Sequence, residues 1–246
     1  MNDQIATYEE TRLNPNLTFD AFVTGKANEL ACAAAGEIVL KPAGSINPLF
    51  IYGGVGMGKT HLIQAIGNAV CAANPNLKVR YVHAEDFFSE VAHAFAVDAR
   101  DAFRLYYRSL DLLLIDDIQV LNLKDRTQDE FLYVFNSLVD AKKQVVIAGD
   151  AIPTDIPGLE ERLVSRFDRG LTVALKPPKL QMRIAILKKL AEVEFIRTSD
   201  SALRYIAKHV PHNAPVLQGA LHRLSVFARF YGREIDLDVA KEALRY

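Results

Sequence analysis

The chain has 246 residues, half of them apolar and 24% charged, with a formal net charge of −1. That length suits one large domain or a domain with a satellite, and the composition is that of an ordinary globular chain. The near-neutral charge argues against a main task of coating duplex DNA, and no run approaches the roughly 20 apolar residues of a membrane helix.

Residues 1–16 read as a polar tail without the apolar segment of a secretory signal, ending in a turn at Asn14-Pro15-Asn16. With Cys32 and Cys71 isolated, no disulfide framework or metal site is indicated, and a reducing, cytoplasmic setting is expected. Residues 18–23 are apolar enough to pack down, an Ala-rich helix is predicted over about 27–39, and 41–47 is a turn-rich loop. A short buried strand at 48–52 runs straight into glycines, and a helix follows over 59–73. The alternation continues with a strand at 78–83, two helical stretches within 85–108, an apolar strand at 111–116 and a helix at 128–142. A strand at 144–148, a helical stretch at 159–167 and a strand at 171–175 complete it. Strands alternating with helices predict an α/β fold, a parallel sheet covered by helices on both faces.

Lys176-Pro177-Pro178 breaks this pattern, because proline cannot continue a strand and biases its predecessor away from helix. Only helical periodicity follows, over 180–195, 199–209, 216–231 and 237–244. Thr198 or Ser199 and Asp236 are sensible N-caps, and Gly232 is a sensible stop. The expected division is therefore a tail over 1–16, an α/β domain over 17–176 and a small helical domain over 177–246.

Gly53-Gly54-Val55-Gly56-Met57-Gly58-Lys59-Thr60, between a strand and a helix, matches the phosphate-binding loop pattern. Glycines let successive N–H groups turn inward to cradle an anion, and the helix N-terminus adds its free amides. Nucleotide contacts are expected from Gly53 through His61, with Lys59 reaching the β- and γ-phosphates and the Thr60 hydroxyl ligating Mg²⁺. The plain alternative is a glycine-rich loop without a ligand, and the flanking strand and helix count against it. Leu112-Leu113-Leu114-Ile115 then carries Asp116 and Asp117 to the C-terminal end of a strand, where α/β sheets bind ligands. Asp116 would hold the Mg²⁺ shell, and Asp117 would orient or deprotonate the attacking water. Asp150, at the end of the next strand, would sit beside those carboxylates. Arg166 lies at the edge of the sheet domain, where an ordinary surface arginine is an equal reading.

Taken in order, these segments resemble the AAA+ ATPase region of DnaA, the bacterial chromosomal replication initiator family. The resemblance is carried by residues 17–28 (LTFDAFVTGKAN), 47–62 (NPLFIYGGVGMGKTHL), 106–119 (YYRSLDLLLIDDIQ) and 160–171 (EERLVSRFDRGL). Pro177-Pro178 through Leu187 and Gly219-Ala220-Leu221 extend it from about residue 8 to the end. It implies an AAA+ P-loop domain with a helical lid, binding ATP or ADP with Mg²⁺, slow hydrolysis, nucleotide-dependent self-association and contact with single-stranded origin DNA. It also implies that Arg166 is an arginine finger reaching a neighbour's site, that Asp150 is the sensor beside the γ-phosphate, and that Arg162 assists at the interface. Lys124 and Arg126 correspond to residues that touch DNA phosphates; on the residues alone they are solvated loop charges. The helical insert over 85–108 is the family's initiator-specific feature.

The sequence also departs from the family pattern. Ala92 and His93 replace a larger aliphatic and a basic residue, Asp168-Arg169 replaces a Gly/Glu-Trp pair, and Pro215 stands in the place of the lid arginine. The family's helix-turn-helix and helicase-contacting domains are not matched. Two functions follow: an initiator's ATPase module assembling on origin DNA, or a stand-alone DnaA-like regulator that binds the full-length initiator and has weak or no ATPase activity. Met1 and Pro215 favour the second, whereas Lys124, Arg126 and Arg166 favour the first. A helicase loader shares the ATPase core but fits the quoted segments less well.

Overall fold

The structure, a computed structural model, describes residues 11–123, 125–210 and 213–245, apart from the side chains of Asn122, Leu123 and Asp125. Most of the predicted tail, and Lys124, thus lie outside the described residues. Two compact units emerge: one of residues up to Phe22, Glu29–Gly54 and Lys59–Leu175, the other of Val23–Asn28, Val55–Gly58 and Lys176–Tyr246.

The first unit runs α1 (Glu29–Leu40), β1 (Leu49–Tyr52), α2 (Lys59–Ala73), β2 (Val79–His83), α3 (Ala84–Ala96), α4 (Arg100–Arg108) and β3 (Leu112–Asp116). After a 3₁₀ turn at Ile118–Leu123 come α5 (Asp125–Asp140), β4 (Gln144–Gly149), α6 (Glu161–Phe167) and β5 (Leu171–Ala174). The five strands are all parallel, in the order β2-β3-β4-β1-β5. β3 and β4 are buried along their whole length because helices cover both faces, which is why they read as unbroken apolar runs rather than alternations. One face packs Phe50, Val82, Leu113, Ile115, Val145 and Ile147 against aromatic rings from the helices, with Phe167 5.5 Å from Phe50 and Phe131 5.5 Å from Phe87. The other face receives α2, where Gly67 lets the helix come close to Leu114.

Gln144 opens β4 fully buried, and its amide is satisfied by the carbonyls of Ile46 (3.1 Å) and Val145 (2.9 Å) while its oxygen accepts from Ala43 N (2.8 Å). Several helix boundaries differ from expectation. The helix expected from 128 begins at Asp125, and Ile118–Leu123 form a 3₁₀ turn rather than an open loop.

The second unit holds α7 (Leu180–Val193), α8 (Asp200–His209), α9 (Ala214–Tyr231) and α10 (Leu237–Ala243). Leu187, Leu203, Ile206, Leu217, Leu221, Leu224 and Val239 form its core. Ser199 and Asp236 cap their helices, accepting from Ala202 N (3.2 Å) and Val239 N (2.8 Å), and Gly232 ends α9 at φ +63°. α9 begins two residues before the expected 216: Asn213 is its N-cap, accepting from Val216 N at 3.4 Å, which puts Pro215 in the first turn. Among the described residues no helix is long and apolar enough to cross a membrane.

Candidate functional site

Parallel pairing brings the ends of β1, β3 and β4 together, with Tyr52 level with Gly149 and His83 of β2 level with Asp116. Each functional side chain leaves the sheet from that C-terminal edge, where strands stop and loops are free to turn. The loop after β1 needs glycine at two points: Gly56 has φ +75° and Gly58 φ +95°, left-handed conformations that side chains resist. Lys59 follows in the first turn of α2, its side chain only 7% exposed. Its ammonium donates to the carbonyls of Gly53 (2.8 Å) and Gly54 (3.3 Å) and to Asp150 Oδ1 (2.6 Å), so the charge is held inward and fully partnered. Next to it, the Thr60 hydroxyl donates to Asp116 Oδ2 at 2.6 Å.

Asp116 is completely buried. Burial pushes its carboxyl above the usual range, and the neighbouring Asp117 charge adds to that, against donors from Thr60 and Tyr81. Its other oxygen accepts the Asp117 N–H at 3.0 Å. Asp117 itself adopts φ +55°, an uncommon conformation that aspartate tolerates better than most side chains. Gln119 joins the two acidic arms: its amide nitrogen donates to Asp117 Oδ1 (3.1 Å) and Asp150 Oδ2 (3.0 Å), and its oxygen accepts from Asp150 N (3.3 Å). Lys59, Thr60, Asp116, Asp117 and Asp150 thus form one connected polar cluster.

Sequence reasoning missed three members of this cluster. Gln119 is one; Tyr81 and His83 are the others. The Tyr81 hydroxyl lies 3.1 Å from Asp116 Oδ2 and 2.9 Å from His83 Nε2, and His83 Nδ1 is 3.8 Å from Asp117 Oδ2. Burial and the Asp116 charge push the Tyr81 phenol far above its ordinary pKa, so it stays protonated. The available signal was two polar rings at alternate positions ending a strand, which places both on one face at the ligand-binding edge.

The remaining expected residues lie apart from this cluster. His61 turns its imidazole to the Thr18 carbonyl (2.9 Å) and against the Phe22 ring, and burial lowers its pKa, so its side chain is committed to packing. Arg166 sits half-buried on α6 without a side-chain ion pair to any described residue, whereas Arg162 is paired with Glu160 and Asp129. Arg126 is exposed in the first turn of α5, and Ala92 and His93 are exposed on α3. Within the second unit, the Asn213 amide donates to Val55 O at 3.0 Å, and its side chain fills the space a Cβ on Gly56 would need.

Residues 13–174 match the family described as the bacterial DnaA ATPase domain. The chromosomal replication initiator protein DnaA of Azoarcus sp. strain BH72 is 55% identical over 238 residues, covering 97% of this chain and 50% of that protein. The chain therefore spans about half the length of the curated relatives it matches. The crystal structure of domain III of Thermotoga maritima DnaA superposes with a TM-score of 0.89 at 41% identity, covering 94% of this chain and 97% of that one. A replication initiator DnaA bound to AMPPCP and single-stranded DNA gives 0.79 at 31% identity, covering 91% and 76%. With a parallel sheet carrying the glycine-rich loop and the Asp116, Asp117 and Asp150 carboxylates at one edge, and with this similarity along nearly the whole length, the chain belongs to the bacterial DnaA ATPase-domain family.

Proposed function

We propose that the chain is an AAA+ module that binds ATP or ADP with Mg²⁺ through Gly53–Thr60, residues 17–176 carrying the nucleotide and 177–246 acting as its helical lid. The observation that carries this reading is the buried Lys59 ammonium, tethered to Asp150 and two loop carbonyls at the mouth of a left-handed glycine turn. A bound phosphate offers that ammonium stronger, charged acceptors than the carbonyls it now uses. Val55, Met57 and the amides up to His61 complete the cradle. Thr60 and Asp116 present only oxygen atoms, the donor set that a hard cation such as Mg²⁺ takes, and their 2.6 Å contact is the pairing such an ion would enter. When bound, the ion would neutralise charge on the β- and γ-oxygens. Asp117 would hold the attacking water and Asp150 would face the γ-phosphate, with Gln119 fixing both carboxylates.

In this reading Arg166, half-buried and without an ion pair to any described residue, is the finger offered to a neighbouring copy in a nucleotide-dependent assembly. Arg126, exposed at the start of α5, and Lys124 would contact single-stranded origin DNA weakly, since Ala92 and His93 offer it little. The similarity to a replication initiator bound to AMPPCP and single-stranded DNA supports the DNA contact. A second reading, a regulator that binds the full-length initiator and hydrolyses ATP slowly or not at all, is favoured by Pro215 in the first turn of α9.

Isothermal calorimetry tests the core claim. Wild-type chain is expected to bind ATP and ADP in Mg²⁺ buffer, and Lys59→Ala to lose about 1.5–3 kcal/mol, roughly tenfold to a hundredfold in affinity. A wild type that binds neither nucleotide refutes the reading.

A further inference from the structure

His83, like Tyr81, is a member of the polar cluster with no part in nucleotide binding as proposed. Its ring nitrogens have different surroundings. Tyr81 donates its O–H to the Asp116 carboxylate (3.1 Å), so the phenol oxygen has only lone pairs to offer His83 Nε2 at 2.9 Å. In the neutral tautomer that donates Nε2–H to Tyr81, Nδ1 presents a lone pair. That lone pair faces Asp117 Oδ2 at 3.8 Å. Asp117 has already spent its other oxygen on Gln119 and adopts a left-handed backbone, so in that tautomer the Nδ1 lone pair and Oδ2 face the same space.

A cation in that space would be held by both. One ligand atom each from His83, Asp116 and Asp117 lies within 4.8 Å of the others. Metal–nitrogen and metal–oxygen bonds of about 2.0–2.2 Å need ligand atoms about 3–4 Å apart, within reach of a small turn of the half-exposed His83 and Asp117 side chains. The outer contacts also suit a metal: a ligating histidine generally donates its second N–H to a polar partner that fixes its tautomer, and here Tyr81 does so and ties the ring to Asp116. We propose that His83, Asp116 and Asp117 form a divalent transition-metal site that fills without nucleotide. The imidazole shifts preference away from Mg²⁺, which favours oxygen donors, towards borderline ions, with Zn²⁺ held more tightly than Mn²⁺. The site shares Asp116 and Asp117 with the proposed Mg²⁺·nucleotide site, so occupancy by Zn²⁺ is expected to oppose Mg²⁺·ATP binding.

The test uses chelator-stripped, nucleotide-free protein and the metals alone. Zn²⁺ affinity is read by competition with a chromophoric chelator, and the ligands of bound Mn²⁺ by nitrogen modulation in pulsed electron paramagnetic resonance. Wild type is expected to show nitrogen coupling and His83→Gln to lose it, with Zn²⁺ affinity down at least about tenfold and Mg²⁺ affinity little changed. Asp117→Asn removes the facing carboxylate without touching the ring and is expected to weaken Zn²⁺ similarly. Absence of nitrogen coupling in wild type, coupling that survives His83→Gln, or Zn²⁺ affinity unchanged in both variants overturns the proposal. A chain that binds Mg²⁺·ATP but fails these measurements sinks this site alone; one that passes them without binding nucleotide sinks only the nucleotide reading.

Discussion

Asp111 ties together the starts of three strands. Its Oδ2 accepts the Lys78 N–H at 2.8 Å and its Oδ1 accepts from Lys143, while its backbone oxygen accepts from Gln144 N at 3.0 Å. Burial alone would raise its carboxyl, but the Lys143 and Lys78 contacts outweigh that and hold it below the ordinary value. A depressed folded pKa contributes stability that is present above the unfolded value, near 3.9, and is lost as pH falls through the lower folded one. Asp111→Asn is therefore expected to cost about 1 kcal/mol at pH 7, discounted for the partly exposed Lys143, with the gap to wild type closing below about pH 4. Urea unfolding at several pH values checks this, and a gap that does not change with pH would contradict it. Pro215 raises a functional question at the same scale. First-turn amides have no intrahelical acceptor, so proline costs α9 nothing there. What it removes is the charge of the arginine that the family pattern carries at this position. Pro215→Arg is expected to speed single-turnover ATP hydrolysis, by up to roughly a hundredfold if about 3 kcal/mol of transition-state stabilisation returns. Equal rates in the two proteins would show that Pro215 does not limit the chemistry.

Between elements, a close backbone approach fixes the start of β5. A Cβ on Gly170 would lie 1.9 Å from the Pro48 carbonyl oxygen, a backbone atom that cannot swing aside. Leu171 N donates to that same oxygen at 3.0 Å, so Gly170 is what lets β5 enter beside β1. Gly170→Ala is expected to lose about 3 kcal/mol of stability by forcing the two strands apart, read as a lower denaturant midpoint. An unchanged midpoint would mean that the strand pair yields more easily than its geometry implies. Element type was legible wherever burial wrote a strong pattern: Leu112 to Ile115 could be read as a strand because helices on both faces leave it no polar side. Element ends were less so. α5 starts at Asp125 rather than near 128, and α9 starts early because Asn213, not a residue nearer Val216, supplies the cap.

For the whole molecule, the open question is association. Arg166 is half-buried and has no ion pair to any described residue, an arrangement that suits an acceptor on another copy. A finger acting in trans makes assembly depend on nucleotide and on protein concentration. Arg166→Ala is expected to leave ATP affinity of the isolated chain nearly unchanged and to abolish ATP-dependent association in sedimentation velocity. Equal loss of monomer affinity would place Arg166 in its own chain's pocket instead.

What the amino-acid order determined by itself was the α/β class, the phosphate loop and the family, because each is written locally. Glycines at Gly56 and Gly58 mark backbone that only they adopt readily, and strand runs and helix periods announce themselves within a dozen residues. What only the tertiary structure decided was which distant side chains meet. Lys59 and Asp150 are 91 residues apart, and Thr60 and Asp116 are 56 apart. Those pairings follow from β4 lying between β3 and β1, an order that no local period encodes. The same order sets His83 level with Asp116, and so turned a histidine marked only by its place at a strand end into a neighbour of both carboxylates.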